Sequence, residues 1–107
     1  MLSIAIYSEN ENLTNELKSY IQDFLIREKV MAKVSYFNDT ETFITVPSSY
    51  DFYLIDLDSE KNNLLEVGKQ MMSIDAGSHF AFLSSDKETA CLAAKARVDY
   101  YMLKPLD

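Results

Sequence analysis

The chain has 107 residues, 48% of them hydrophobic, and a formal net charge of −7. That length suits one domain with a modest core, and the composition is not that of a disordered segment. The acidic balance disfavours direct nucleic-acid binding, no apolar run approaches the roughly 20 residues of a membrane span, and no signal peptide is visible.

Cys91 is the single cysteine and His79 the single histidine. An intramolecular disulfide is therefore excluded, which fits a reducing, cytoplasmic compartment. A zinc site would need other donors. Both residues read as structural.

In chain order, Leu2 to Tyr7 is a short apolar strand ending at the polar turn Ser8-Glu9-Asn10-Glu11. Leu13, Leu17, Tyr20, Ile21, Phe24 and Leu25 then recur at helical spacing and form one apolar stripe for packing on a sheet. Either Asn10 or Asn12 can cap that helix. Lys33 to Phe37 alternates as an edge strand would. Asn38-Asp39-Thr40-Glu41 signals a cap for a short helix over Thr42 to Val46, stopped by Pro47, and Ser48-Ser49 is loop.

Tyr50-Asp51-Phe52-Tyr53-Leu54-Ile55-Asp56-Leu57-Asp58 is the third strand. Its apolar run has the texture of a strand buried on both faces at the centre of a parallel sheet. Ser59 to Asn63 is loop. A third helix carries Leu64, Leu65, Val67, Gly68, Met71 and Met72; the methionines read as core filling, with a soft binding surface as the alternative. Asp75-Ala76-Gly77 turns the chain into a fourth strand, His79 to Leu83, closed by Ser84-Ser85. Ser85 with Glu88 makes a capping box for a helix over Asp86 to Arg97, rich in Ala90, Ala93, Ala94 and Ala96. Tyr100 to Leu103 is a fifth strand, followed by Lys104-Pro105.

Strict β-α alternation predicts an α/β, doubly wound parallel sheet with helices on both faces. In such sheets ligands bind at the carboxyl ends of the strands. Those ends carry Ser8 and Glu9, Asp56 and Asp58, Ser84, and Lys104. Clustered carboxylates attract a hard divalent cation such as Mg²⁺. A lysine opposite them neutralises phosphate as a point charge. A carboxylate so held can attack phosphorus and form an aspartyl phosphate. Each residue taken singly also has a plain reading: a solvated loop acid, a common strand-end serine, a surface lysine.

With these residues in place the sequence resembles the receiver domains of two-component response regulators, CheY-like proteins, over residues 1–107. The motifs are Ser8-Glu9 for the family's acidic pair, Asp56 in Leu54-Ile55-Asp56-Leu57, Ser84 in Phe82-Leu83-Ser84-Ser85, and Lys104-Pro105 in Tyr101-Met102-Leu103-Lys104-Pro105. The resemblance implies a flavodoxin-like sheet of order 2-1-3-4-5 and a phosphoacceptor signalling domain rather than an enzyme. It implies Asp56 as phosphoacceptor, and Mg²⁺ bound by Glu9, Asp56 and the backbone carbonyl of Asp58, with Ser8 contributing weakly or through water. Ser84 and Lys104 would bind the phosphoryl group, Tyr101 would be the aromatic switch, and Lys104–Pro105 is a candidate cis peptide. Asp99-Tyr100-Tyr101 and the long first helix look most like the LytTR class.

Implied partners are a sensor histidine kinase or small phosphodonor and an effector, a DNA-binding transcription regulator, outside this chain. Homodimerisation through helix 4 and strand 5 is also implied. Ser8 departs from the pattern because it supplies no charge, and Ser59-Glu60 lacks the family's Met-Pro. A receiver-like interaction module that works without phosphorylation is therefore the alternative. A closing helix is missing after the fifth strand, which predicts truncation, with Tyr101 and Leu103 on an under-covered edge.

Two rivals come from other classes. Asp56-Leu57-Asp58 also looks like the Asp-x-Asp of haloacid-dehalogenase-type phosphatases, but that motif opens the first strand, and no downstream acidic pair or cap is present. A flavodoxin-like cofactor binder would need a phosphate loop after strand one, and none follows.

Overall fold

A computed structural model describes residues 1–44, 50–95 and 98–105. The elements are β1 (Leu2–Tyr7), α1 (Glu11–Arg27), β2 (Ala32–Phe37), α2 (Thr40–Ile44), β3 (Phe52–Asp56), α3 (Leu64–Ile74), β4 (His79–Ser84), α4 (Lys87–Lys95) and β5 (Tyr100–Leu103). The five strands form one all-parallel sheet, as the alternation predicted, in the order β2-β1-β3-β4-β5 implied by the receiver resemblance.

Alternate residues of each strand feed opposite faces. Ala5, Tyr7, Tyr53, Ile55, Phe80 and Phe82 pack with Phe43 of α2 and Leu64 and Met71 of α3. Ile6 and Leu83 pack with Leu13 and Leu17 of α1, bordered by Ile4, Val34, Tyr36 and Leu54. Met71 is thus core, as its spacing suggested.

Asn10, not Asn12, caps α1: its side chain accepts from the Leu13 amide at 3.0 Å. Glu11 in the first turn and Arg27 in the last complement the helix dipole. The stripe on α1 is buried only in part. Leu13 and Leu17 are covered, whereas Tyr20 and Phe24 are about half exposed. Gly68 is needed for packing: a Cβ there would lie 2.6 Å from the Phe82 ring.

Two helix starts shift. The short helix begins at Thr40 because the Asp39 carboxylate takes the Glu41 amide and the Thr42 hydroxyl; its expected end at Val46 and Pro47, and the Ser48-Ser49 loop, lie outside the described residues. Ser85 does not cap α4. Asp86 does, accepting from the Glu88 amide and the Thr89 hydroxyl; the expected end at Arg97 lies outside the described residues. On the β5 edge Tyr100 and Leu103 are exposed, but Tyr101 is half-buried against the first core cluster.

Candidate functional site

The order of strands reverses between β1 and β3, so the loops that leave their carboxyl ends run to opposite sides of the sheet and leave a crevice. Ser8, Glu9, Asp56, Asp58 and Lys104 come to this end of the sheet. Asp56 is 1% exposed, the last residue of β3. A buried carboxylate must be neutralised and hydrogen-bonded. Its Oδ1 lies 2.7 Å from Lys104 Nζ and accepts from the Asp58 amide at 3.1 Å. Its Oδ2 accepts from Ser8 Oγ at 2.8 Å. Ser8, itself buried, also accepts from the Asn10 amide, which ties the site to the start of α1.

Asp58 is a second centre. Its carboxylate accepts from Ser84 Oγ at 3.0 Å, from Ser85 Oγ at 3.0 Å and from the Ser85 amide at 3.2 Å, and it pairs with Lys104 Nζ at 3.0 Å. Burial raises its pKa, but Lys104, Ser84 and Ser85 more than offset that, and the net direction is downward. Burial works against the Lys104 ammonium, and the two carboxylates more than compensate, so its pKa is raised. Lys104 therefore stays charged between them.

Glu9 lines the same cleft as Asp56 and Asp58 but makes a network of its own. It accepts from Ser59 Oγ at 2.6 Å, from Asn62 Nδ2 at 2.9 Å and from the Tyr7 hydroxyl. Burial raises its pKa, and these donors together with Lys61 lower it overall. The Tyr101 hydroxyl donates to the Asp86 carbonyl at 3.1 Å, and the Lys104–Pro105 peptide is cis.

No family model matches the sequence, and no curated protein matches it. Solved structures do. The BeF₃-activated receiver domain of DrrB superposes with a TM-score of 0.82 at 17% identity, over 100% of this chain and 87% of that one. The chain has the receiver fold. Response regulator DrrB, a Thermotoga maritima OmpR/PhoB homologue, gives 0.82 at 18%, over 99% of this chain and 46% of that one. TrrA from Thermotoga maritima in complex with Mg²⁺–BeF gives 0.81 at 17%, over 100% of this chain and 90% of that one. A Burkholderia pseudomallei response regulator with a phosphorylated aspartic acid and calcium gives 0.74 at 16%, over 100% and 62%. These neighbours are response regulator receiver domains, two of them captured with a divalent cation. These neighbours do not confirm the LytTR class.

In this receiver fold Asp56, Ser84, Lys104 and Tyr101 all lie at the cleft end of the sheet or beside it. Three findings were not legible in the residue pattern. Glu9 is held by Tyr7, Ser59 and Asn62; Ser8 donates directly to Asp56; and the Asp58 side chain, rather than only its carbonyl, takes part. The donors expected for a cation suit it in kind, since Glu9 and Asp56 share the cleft and the partners of Glu9 are neutral. As they stand, no three acidic, histidine or cysteine side chains among the described residues converge on a metal position. Among the described residues no helix is long and apolar enough to cross a membrane.

Proposed function

We propose that this chain is the receiver module of a two-component response regulator and that Asp56 accepts a phosphoryl group. The observation that carries the reading is the 2.7 Å pair of Asp56 and Lys104 at the carboxyl ends of β3 and β5, within a receiver fold. One carboxylate oxygen of Asp56 forms the new O–P bond as the bond to the donor's leaving group breaks. The donor is a phosphohistidine of a sensor kinase or a small acyl phosphate, and the leaving group departs with the bonding pair. Lys104 neutralises the incoming phosphoryl oxygens. Mg²⁺, held by Glu9, Asp56 and the Asp58 carbonyl, would supply further charge neutralisation, weakened because Ser8 brings no charge.

Ser84 then turns its hydroxyl from Asp58 to the phosphoryl group. Tyr101 leaves the Asp86 carbonyl and moves inward, and the α4–β5 face changes to meet a partner. This is a biased two-state element rather than an enzyme acting on an external substrate. The output is a DNA-binding effector or partner outside the chain, in the cytoplasm, with a homodimer through α4 and β5 as one form of it.

A second reading is a partner-binding module that needs no phosphate. It is favoured by Ser8, which caps Asp56 Oδ2 where an acid would help hold a cation. Acetyl phosphate with Mg²⁺, followed by intact mass, separates the two readings. One added phosphoryl group on the wild type and none on Asp56→Asn supports the first; an unchanged wild type supports the second.

A further inference from the structure

The Asp58 carboxylate sits among groups that suit a tetrahedral oxyanion. One ammonium, Lys104, two hydroxyls, Ser84 and Ser85, and one amide, Ser85, all point at its two oxygens. Two of these, Ser84 and Lys104, are the groups assigned above to the phosphoryl group. Asp58 is spaced two residues from the acceptor, and its amide is hydrogen-bonded to Asp56 Oδ1, so the two carboxylates are held side by side around one lysine.

We infer that the Asp58 side chain is an internal occupant of the phosphoryl subsite, a specificity-determining carboxylate that the phosphoryl group must displace. The inference rests on the reading of Asp56 as phosphoacceptor. It has two physical parts. An anion already saturates Ser84 and Ser85, so a newcomer exchanges hydrogen bonds rather than adding them. A fixed like charge also opposes the approach of an anionic donor. The same contacts pull the β4–α4 loop toward the β3–α3 loop, so the unphosphorylated chain rests with Ser84 already drawn to the site.

The test is a titration with beryllofluoride and Mg²⁺, read by amide chemical shifts, of the wild type, Asp58→Asn and Asp56→Asn. Asp58→Asn keeps the size and one acceptor oxygen, and leaves the backbone carbonyl in place. It is expected to bind about tenfold more tightly than the wild type, the scale of one released charge-assisted hydrogen bond. Asp56→Asn is expected not to bind. A contact with a merely structural role would weaken binding when lost, so tightening is diagnostic. Equal or weaker binding by Asp58→Asn, with wild-type binding intact, overturns the inference and leaves the phosphoacceptor reading standing. No binding by either chain that retains Asp56 overturns both.

Discussion

Ser8 Oγ lies 2.8 Å from Oδ2 of Asp56, and both side chains are almost fully buried. A neutral donor therefore occupies the side of the carboxylate on which an acid was expected from the receiver pattern. With Lys104 on the other oxygen, both oxygens of Asp56 have a partner, and the lysine is shared with Asp58.

Replacing this serine separates its two roles. Ser8→Ala removes the donor to Asp56 and the acceptor of the Asn10 amide, and is expected to cost about 1–3 kcal/mol in urea unfolding. Ser8→Asp places a second carboxylate beside Asp56. Without divalent ions it should be less stable than the wild type; with them it should recover, with Mg²⁺ or Mn²⁺ affinity raised about tenfold by the added ligand charge. Isothermal calorimetry on the two proteins decides this, and unchanged affinity would show that Ser8 does not face the cation.

Lys104 is the counter-ion of a carboxylate that is 1% exposed. Lys104→Met should cost about 3–5 kcal/mol near neutral pH, because it strands that charge. In the double variant with Asp56→Asn the cost should fall well below the sum of the single ones, as expected for partners in contact. Additive losses would mean that the ammonium is held by Asp58 rather than by Asp56.

The pH profile of stability follows from the directions of the shifts. Asp58 and Glu9 are lowered in the folded chain, so their contribution is present above the ordinary carboxylate range and is lost as pH falls through the folded values. Lys104 and Tyr7 are raised. For Tyr7 the causes are burial first and then its bond to Glu9. Their contribution is complete below the unfolded values, about 10 for both groups, and is lost as pH rises beyond them. Urea midpoints should therefore show a plateau between the acid and alkaline limbs. Asp58→Asn should shallow the acid limb and leave the alkaline fall due to Tyr7.

Gly68 offers a test of the core away from the site. Alanine normally favours a helix by about 1 kcal/mol over glycine. At this position its Cβ would enter the Phe82 ring, which is fully buried between α3 and β4. Gly68→Ala should therefore destabilise by about 1–3 kcal/mol through overpacking. A gain in thermal midpoint would show that the ring can move.

How far the sequence carried depended on the kind of signal. The strand-end positions of Asp56, Ser84 and Lys104 were legible, since runs such as Phe52 to Ile55 show where a strand ends, whereas the strand order and the cis Lys104–Pro105 peptide were implied only by the receiver resemblance. Hydrogen-bond partners were not. Ser84, Ser85 and Ser59 are interchangeable by type, and only the meeting of two loops sends the first two to Asp58 and the third to Glu9. The capping-box spacing pointed to Ser85, but Asp86 wins because Ser85 is already committed to Asp58. The stripe on α1 was right in period, but only Leu13 and Leu17 of it are fully covered, because periodicity marks a face and not how much of it is buried.

Strand β5 is four residues long, lies on the edge of the sheet, and leaves Tyr100 61% exposed. Lys104 follows it directly. An edge strand so lightly covered should be among the first parts to exchange its amide protons, yet each opening withdraws the cation from a buried carboxylate. Fraying of β5 and discharge of the site are thus one event. Anything that binds the Asp56–Lys104 pair should slow hydrogen exchange along β5, and anything that clasps β5 from outside should stiffen the site in return.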